Sequence, residues 1–235
     1  MIPKVIHYCW FGGKELPRDV QKCIASWKKY CPDYEIRQWN ETNFDVTAHP
    51  FVKAAYEAKA WAFVSDYVRL QVVYDHGGVY LDTDVELQKS LDAVRQHRCY
   101  VALQQVGHWV ATGLGFGAEK GSEAVLAMLK AYDAVTFDNS RRELLACPIL
   151  NTRALAPFGV VYSEQVQHLP QVTVYPPKFF DPVSPGDAEN LLCEDTVSIH
   201  HYSATWQSPK QRLKRRLMHM IGQERVMKLR GLFKK

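Results

Sequence analysis

Residues 77–86, GGVYLDTDVE, place two aspartates directly after a short apolar run. Side chains alternate along a strand, so Asp82, Asp84 and Glu86 would share one face, with neighbours roughly 6.5–7 Å apart. Carboxylates held this close repel one another unless a cation compensates, and Mg²⁺ or Mn²⁺ prefers oxygen ligands. The alternative is a turn in which the aspartates bond nearby backbone amides. The apolar strand before them favours a site for a metal and a diphosphate.

Three more side chains could reach a polar ligand. Asp66 and Arg69 are three residues apart in an otherwise apolar helical segment, so they share one helical face. They form either a structural ion pair or a pair that bonds the hydroxyls of a polyol. Trp10 lies near the end of the first predicted strand, where it is either core or a platform for a nucleobase.

Residues 198–206, SIHHYSATW, bring two histidines to the end of a late predicted strand. Neutral imidazole ligates transition metals such as Mn²⁺. Adjacent strand residues point to opposite faces, so at most one of His200 and His201 meets a metal held by the aspartates.

The order of predicted elements indicates an α/β protein. The first half predicts strand, helix, strand, two helices and strand, in that order: 4–10, 17–30, 34–39, 51–60, 61–76 and 79–81. This alternation predicts a mostly parallel sheet with helices on its faces. Ligands bind such sheets beyond the carboxyl ends of the strands, where Asp82 and Asp84 fall. The second half predicts strands at 99–103 and 197–202 and a helix at 122–132.

Cysteine usage and the lack of long apolar runs indicate where in the cell the protein is expected. The six cysteines of the 235 residues form no metal-binding spacing, so we expect reduced thiols. No secretory leader and no apolar run of membrane-spanning length is evident, so we expect a cytoplasmic protein.

The C-terminal segment carries most of the positive charge. Residues 207–235 hold ten Lys and Arg and one acid, a net +9, whereas the 206 residues before them hold 19 bases and 24 acids, a net −5. Apolar residues there fall into helical stripes, which predicts an amphipathic helix. This helix either packs on the preceding domain or binds anionic lipid at the inner face of the membrane. We favour the second interpretation. The segment lacks a nucleic-acid reading motif, so we expect no nucleic-acid partner.

Five stretches together resemble the DXD sugar-transferase family, glycosyltransferase family 32, whose bacterial members serve capsule, exopolysaccharide or lipopolysaccharide synthesis. They are, in order, IPKVIHYCWFGG, SWKKYCPDYEIRQWNETNFD, AKAWAFVSDYVRLQVVYDHGGVYLDTDVE, TGLGFGAEKG and SIHHYSATW. The pattern is also similar to the catalytic core of the clostridial glucosylating toxins. The resemblance covers about residues 1–206.

The resemblance implies a GT-A fold, a single Rossmann-like domain over 1–206, followed by the basic helical extension 207–235. It implies a UDP-sugar donor and Mn²⁺, with Mg²⁺ as the alternative ion. The residues it assigns to the donor are Trp10, Ser65, Asp66, Arg69, Asp82, Ser203 and Trp206. It assigns the metal to Asp82, Asp84 and His201, and catalysis to Asp82, Asp84 and Arg69.

The implied reaction is transfer of a hexose, with retention, to a hydroxyl of an acceptor glycan in bacterial surface polysaccharide synthesis. A lipid-linked acceptor would explain a membrane-seeking tail, and we expect acceptor contacts from residues 112–117 and 176–186. Two alternatives come from other classes. They are a metal-dependent phosphohydrolase that uses the same aspartates, and a non-catalytic protein that binds sugar or a membrane surface.

Overall fold

The computed structural model describes residues 1–185 and 188–203. The strands within these ranges are β1 Val5–Cys9, β2 Glu35–Trp39, β3 Gly78–Tyr80, β4 Val85–Leu87, β5 Cys99–Ala102, β6 Phe116–Ala118, β7 Gln167–His168, β8 Thr173–Tyr175 and β9 Ser198–His200. The helices are α1 Arg18–Tyr30, α2 Pro50–Glu57, α3 Trp61–His76, α4 Glu123–Asp133, α5 Cys147–Leu155 and α6 Pro177–Phe180. The elements predicted within the described ranges are present, with ends that differ by a few residues.

Seven strands form one sheet in the order β2-β1-β3-β6-β5-β8-β7. The pairs β1–β2, β1–β3 and β5–β8 are parallel, whereas β6 and β7 run antiparallel to their neighbours. Five of these seven strands therefore run in one direction, and the predicted mostly parallel sheet is confirmed. The carboxyl ends of β1 and β3 meet at the same edge, which is where the DXD aspartates follow.

Helices cover both faces of the sheet and close two apolar cores. One core packs α2, α3, α4 and α5 against the sheet around Phe51, Val68 and Phe116. The other lies under α1 and includes Trp27 and Leu81. Helix α3 is apolar on most of its surface because it is buried between α2, α4 and the sheet.

Strands β4 and β9 form a separate two-stranded ladder that α1 holds in place. The indole NH of Trp27 donates to the Val85 carbonyl at 2.8 Å, and the Ser26 hydroxyl accepts from the Leu87 NH at 2.9 Å. Both contacts fix β4 against α1. The short strand that follows the two aspartates is thus anchored by an element far from it in sequence.

The cysteines are unpaired, as expected, and five of the six are buried. Among the helices in the described ranges, none has the length and apolar character needed to cross a bilayer. The predicted basic helix at 207–235 and the domain boundary at 206 lie outside the described residues, so both stay predictions.

Gly78, the first residue of β3, is closely packed against β1, and its substitution tests the fold. It has φ +117°, and a Cβ there would lie 2.8 Å from both His7 Nε2 and the Val5 carbonyl oxygen. We expect Gly78→Ala to lower the free energy of unfolding by about 3 kcal/mol or more, because backbone strain and overpacking act together.

Gly121→Ala is the matched control, because Gly121 also has positive φ (+74°) but nothing lies within 4 Å of the added Cβ. It should cost only about 1 kcal/mol. Urea unfolding of both variants measures the difference. Equal losses would show that crowding at Gly78 contributes nothing.

Candidate functional site

The two aspartates of the DXD motif lie in a turn rather than on a strand. The ladder of β3 ends at Tyr80, and β4 begins at Val85. The Val85 NH donates to the Asp82 carbonyl at 3.0 Å and closes the turn. The expectation that Asp82, Asp84 and Glu86 share one strand face is therefore wrong, because strand pairing stops before the first aspartate.

The β4–β9 ladder brings a histidine to this turn. Val85 pairs with His200 in the antiparallel register, and the His201 NH donates to the Asp84 carbonyl at 2.9 Å. One potential ligand atom each of Asp82, Asp84 and His200 lies within 4.8 Å of the others. A carboxylate, carboxylate and imidazole set of this size can close on one divalent ion such as Mn²⁺.

The histidine in this group is His200, in place of the His201 that the resemblance assigned to the metal. His200 Nε2 lies 3.0 Å from Asp84 Oδ1, whereas His201 Nε2 lies 2.8 Å from Glu86 Oε2 on the more exposed side. Adjacent residues leave the strand in opposite directions, and the ladder register turns His200 toward the aspartates. The geometry thus corrects the assignment.

Asp84 is the most strongly stabilised carboxylate of the site. Burial alone would raise its pKa, but the charge and hydrogen bond of His200 and two hydrogen bonds from Ser203 hold the pKa well below its usual range. The Ser203 NH and hydroxyl both donate to Asp84 Oδ2, at 2.8 and 2.9 Å. Burial lowers the pKa of His200, and Asp84 outweighs that effect and raises it. Asp84 is therefore ionised throughout the physiological range.

Arg69 is buried behind the turn and pairs with two carboxylates. Its Nη2 lies 2.8 Å from Asp66 Oδ1 and 3.2 Å from Asp82 Oδ1, and its side chain is 5% exposed. Its Nε donates to the Ser65 carbonyl at 3.1 Å, and its Nη1 lies 3.9 Å from Cys147 Sγ. The guanidinium therefore engages protein groups on several sides, and its main visible role is to position Asp82. The predicted contact of Arg69 with a sugar hydroxyl stays a prediction.

Asp66 is the member of the pair that a ligand could reach. Burial raises the pKa of Asp66 to about 6, the charge of Arg69 opposes that rise, and Asp82 adds to it. Its Oδ1 is bonded to Arg69, and its side chain is 13% exposed. Above that pKa Asp66 is ionised, and a partly exposed carboxylate can then accept hydrogen bonds from ligand hydroxyls.

The charges of the site match a divalent cation. With His200 neutral, as a metal ligand must be, Asp66, Asp82 and Asp84 carry three negative charges and Arg69 supplies one positive charge, which leaves two to be balanced. His200 Nδ1 is buried and has no hydrogen bond within the described residues, so the ring keeps an uncommitted nitrogen besides the one at Asp84. The residues present therefore fit a metal such as Mn²⁺ or Mg²⁺.

Two residues of the site escaped the sequence reasoning. The Tyr80 hydroxyl donates to Asp82 Oδ1 at 3.0 Å, from a side chain that the strand pattern predicts only as core. Gly113 lies so close that a Cβ would be 2.3 Å from Asp82 Oδ2 and 3.0 Å from Arg69 Nη1. The Gly-rich run 112–117 was a usable signal for close approach, but it is buried here rather than open to an acceptor as expected.

Three buried polar residues, Thr112, Cys147 and Asn151, form a cluster next to the Arg69 guanidinium. Asn151 Nδ2 donates to the Thr112 hydroxyl at 3.0 Å and lies 3.5 Å from Cys147 Sγ. Cys147 is a fully buried thiol, and burial raises its pKa to about 12, so it is neutral. No spacing in the sequence links these residues to the DXD turn, because α5 brings them there through tertiary packing.

Trp10 lies at the same sheet edge as the aspartates, directly after β1. Its backbone NH donates to the Trp39 carbonyl at 2.9 Å, and its indole NH donates to the Lys14 carbonyl at 2.6 Å. Ser65 lies on α3, beside the Cys9 thiol. Trp206 falls outside the described residues, so its predicted place over a phosphate stays a prediction, as do the donor roles of the other residues.

Part of the chain that holds this site is similar in sequence to known glycosyltransferases. Residues 17–101 match the family described as glycosyltransferase sugar-binding region containing DXD motif. Inositol phosphoceramide mannosyltransferase 3 of Schizosaccharomyces pombe is 32% identical over 108 residues, which are 43% of this chain and 29% of that protein. An uncharacterized glycosyltransferase of Acanthamoeba polyphaga mimivirus is 28% identical over 100 residues, 39% of each chain.

Among solved structures, the PaToxG glycosyltransferase is similar with a TM-score of 0.53 at 19% identity, over 66% of this chain and 69% of that chain. This likeness confirms the predicted GT-A fold class. The family match confirms the resemblance over residues 17–101, the segment from α1 to β5 that holds the DXD turn. The chain spans less than two fifths of the length of the two curated relatives.

The two histidines supply a matched pair of substitutions. We expect His200→Ala to weaken Mn²⁺ binding by about tenfold or more, because a ligand and the partner of Asp84 are both removed. His201→Ala also removes one histidine–carboxylate contact, but it should change Mn²⁺ affinity less than about twofold. Titration of Mn²⁺ followed by electron paramagnetic resonance checks both variants. The reverse order of effects would restore His201 as the ligand.

Proposed function

We propose that this chain, which carries the DXD sugar-binding region, is a metal-dependent glycosyltransferase that moves a hexose from a UDP-sugar to a hydroxyl of an acceptor glycan. The observation that carries the proposal is the group of Asp82, Asp84 and His200 at the carboxyl edge of the sheet, backed by the buried Arg69. That group suits a diphosphate held through a metal. Both aspartates lie within residues 17–101, the segment that matches the DXD sugar-binding region, and this match favours a sugar-nucleotide over other diphosphates. His200 is added from strand β9.

A bound Mn²⁺, or Mg²⁺ as the alternative, would supply Lewis-acid stabilisation of the charge on the leaving diphosphate. Asp82, Asp84 and His200 would hold that ion. Arg69 keeps Asp82 in place, because its guanidinium is buried against the carboxylate. Ser203, which now bonds Asp84, would turn its hydroxyl to a phosphate oxygen.

The donor would lie along the edge from β1 to the DXD turn. Trp10 would stack on the uracil, since its ring lies just past β1 and is oriented by its bond to Lys14. Ser65 would contact the uridine, and Asp66 would accept hydrogen bonds from hydroxyls of the hexose. Trp206 would close over the phosphates.

We further propose that transfer retains the anomeric configuration. Among the described residues of the proposed site, no side chain is placed as a covalent nucleophile with an adjacent base. Attack from the face that the diphosphate leaves, with the leaving phosphate as base, needs none. This route asks the protein only to position the donor and stabilise charge.

Removal of one metal ligand tests the reaction class. Purified protein is incubated with UDP-glucose, UDP-galactose, UDP-N-acetylhexosamines and GDP-mannose, the last because the fission-yeast relatives are named mannosyltransferases. We expect Mn²⁺-dependent release of nucleotide diphosphate from one donor, abolished by EDTA. Asp84→Ala should lower the rate about 100-fold or more, because it removes stabilisation of the leaving group.

Glu86→Ala is the matched control. Glu86 is the neighbouring carboxylate, and it contacts His201 rather than Asp82, Asp84 or His200, the three residues that we refer to as the metal group. It should retain most of the rate. Release of inorganic phosphate from simple esters would favour a phosphohydrolase. Binding of UDP without turnover of any donor would favour a non-catalytic sugar-binding protein. No binding of UDP in Mn²⁺ would contradict the donor site itself.

The strong basicity of residues 207–235 supports a proposal on location. We propose that this segment binds anionic lipid at the inner face of the cell membrane, where a lipid-linked acceptor of surface polysaccharide synthesis would be presented. Each Lys or Arg near such a surface contributes about 1 kcal/mol, and the segment holds ten.

Deletion of residues 207–235 should abolish co-sedimentation with vesicles of phosphatidylglycerol and phosphatidylcholine, while neutral vesicles should bind neither form. Binding of the full chain should also fall as salt rises, because exposed charges are screened. Unchanged sedimentation of the shortened chain would refute a membrane role for this segment.

A further inference from the structure

A second cleft, separate from the metal group, opens beside the carboxyl end of β8. Its volume is about 770 Å³, within the range of ligand-binding pockets. Its walls come from the loop 105–108, the loop 162–165 and the described residues after β8 that line it, namely Pro176, Pro177, Lys178, Pro185, Ala188, Glu189 and Leu191. The proposed function above gives this cleft no task.

Stacked aromatic rings form one wall of the cleft. The rings of His108 and Tyr162 lie face to face, with centroids 3.6 Å apart and planes within 15°. Tyr162 is 44% exposed, so the stack is only partly covered by protein. His108 also has φ +58°, a conformation that costs energy for a residue with a side chain. The uncovered part of Tyr162 gives the cleft a flat apolar face against which a ligand ring could pack.

Charge limits what the cleft can bind. Glu164 and Glu189 line it, and the cation among its lining residues, Lys178, is paired with Asp195 at 2.6 Å. A diphosphate or a phosphorylated ligand would meet uncompensated carboxylates. A neutral polyol would find acceptors in Glu164 and in Gln165, whose side chains make no hydrogen bond within the described residues. The combination of aromatic platform and free acceptors suits a sugar ring, which has an apolar C–H face and hydroxyl edges.

The cleft shares a wall with the metal group through one buried carboxylate. Asp181 is fully buried and accepts from the Gln105 NH on the cleft side at 2.8 Å. It also accepts from the Tyr202 hydroxyl at 2.8 Å. The Tyr202 ring lies 4.1 Å, centroid to centroid, from that of His200. A molecule in the cleft would therefore lie across this wall from the place where Asp82, Asp84 and His200 would hold the ion.

We propose that this cleft binds a neutral saccharide unit of the acceptor, with one sugar ring packed on the wall formed by Tyr162 and His108. The inference rests on the proposed function, since an acceptor site needs a donor site beside it. It partly follows the expectation of acceptor contacts from residues 176–186, because Pro176, Pro177 and Pro185 line the cleft.

Direct binding of sugars to the full chain tests the proposal. The probes are the methyl α- and β-glycosides of glucose, galactose and mannose, followed by saturation-transfer NMR. We expect at least one probe to bind, and Tyr162→Ala to weaken its binding about tenfold, since it removes the ring on which the sugar packs. Tyr162→Phe keeps the ring and should retain most of the affinity.

Val161→Ala is the matched control, because Val161 is an exposed neighbour that does not line the cleft. It should bind the glycosides as the unaltered chain does. Circular dichroism on each variant establishes that the fold is intact.

Titration of UDP with Mn²⁺ on the same samples separates the two proposals. If UDP binds but no glycoside does, or if Tyr162→Ala and Val161→Ala behave alike, the acceptor cleft is refuted and the donor site stands. If glycosides bind and UDP does not, the transferase proposal fails, and the acceptor role of the cleft fails with it.

Discussion

The guanidinium of Arg69 is buried between Asp66 and Asp82, and the rest of the site is arranged around that contact. Removal of either carboxylate would leave a buried cation short of a partner, at a cost of about 3–5 kcal/mol. The Tyr80 hydroxyl donates to Asp82 Oδ1, and Gly113 packs so closely against Asp82 Oδ2 that no Cβ would fit between them. Asp82 is therefore held by buried neighbours, which limits the reorganisation that binding of an ion would require.

The second half of the group depends on strand register. His200 reaches Asp84 because β9 pairs with β4 in one alignment, and α1 fixes β4 through Trp27. A slip of one residue would exchange His200 for His201 and turn the first ring away from the aspartates. The metal group thus joins a rigid half, in the turn that follows β3, to a half whose geometry is set by a three-residue ladder.

Local pattern was enough to predict the first half of the fold and the DXD residues. Apolar periodicity gave α1 and α3, and the Gly77-Gly78 break marked where α3 ends and β3 begins. The choice between His200 and His201 was beyond local pattern, because it depends on a long-range register. Asn151 and the Tyr162 wall of the cleft were equally hidden, since they arise where separate segments meet in space, whereas residues 176–186 were expected to contact an acceptor. The family resemblance supplied roles that spacing alone left open.

Gly113 sets a boundary on how this pocket could diverge. A single added carbon would overlap the Asp82 carboxylate at 2.3 Å, and the backbone of that segment is itself tied to Asp82. A side chain at position 113 would therefore have to displace Asp82, the carboxylate that Arg69 holds in place. Tyr202 and Ser203, which follow β9, are only half buried, but they bond Asp181 and Asp84 respectively. A variant of this chain with a different ligand preference is therefore expected to keep Gly113.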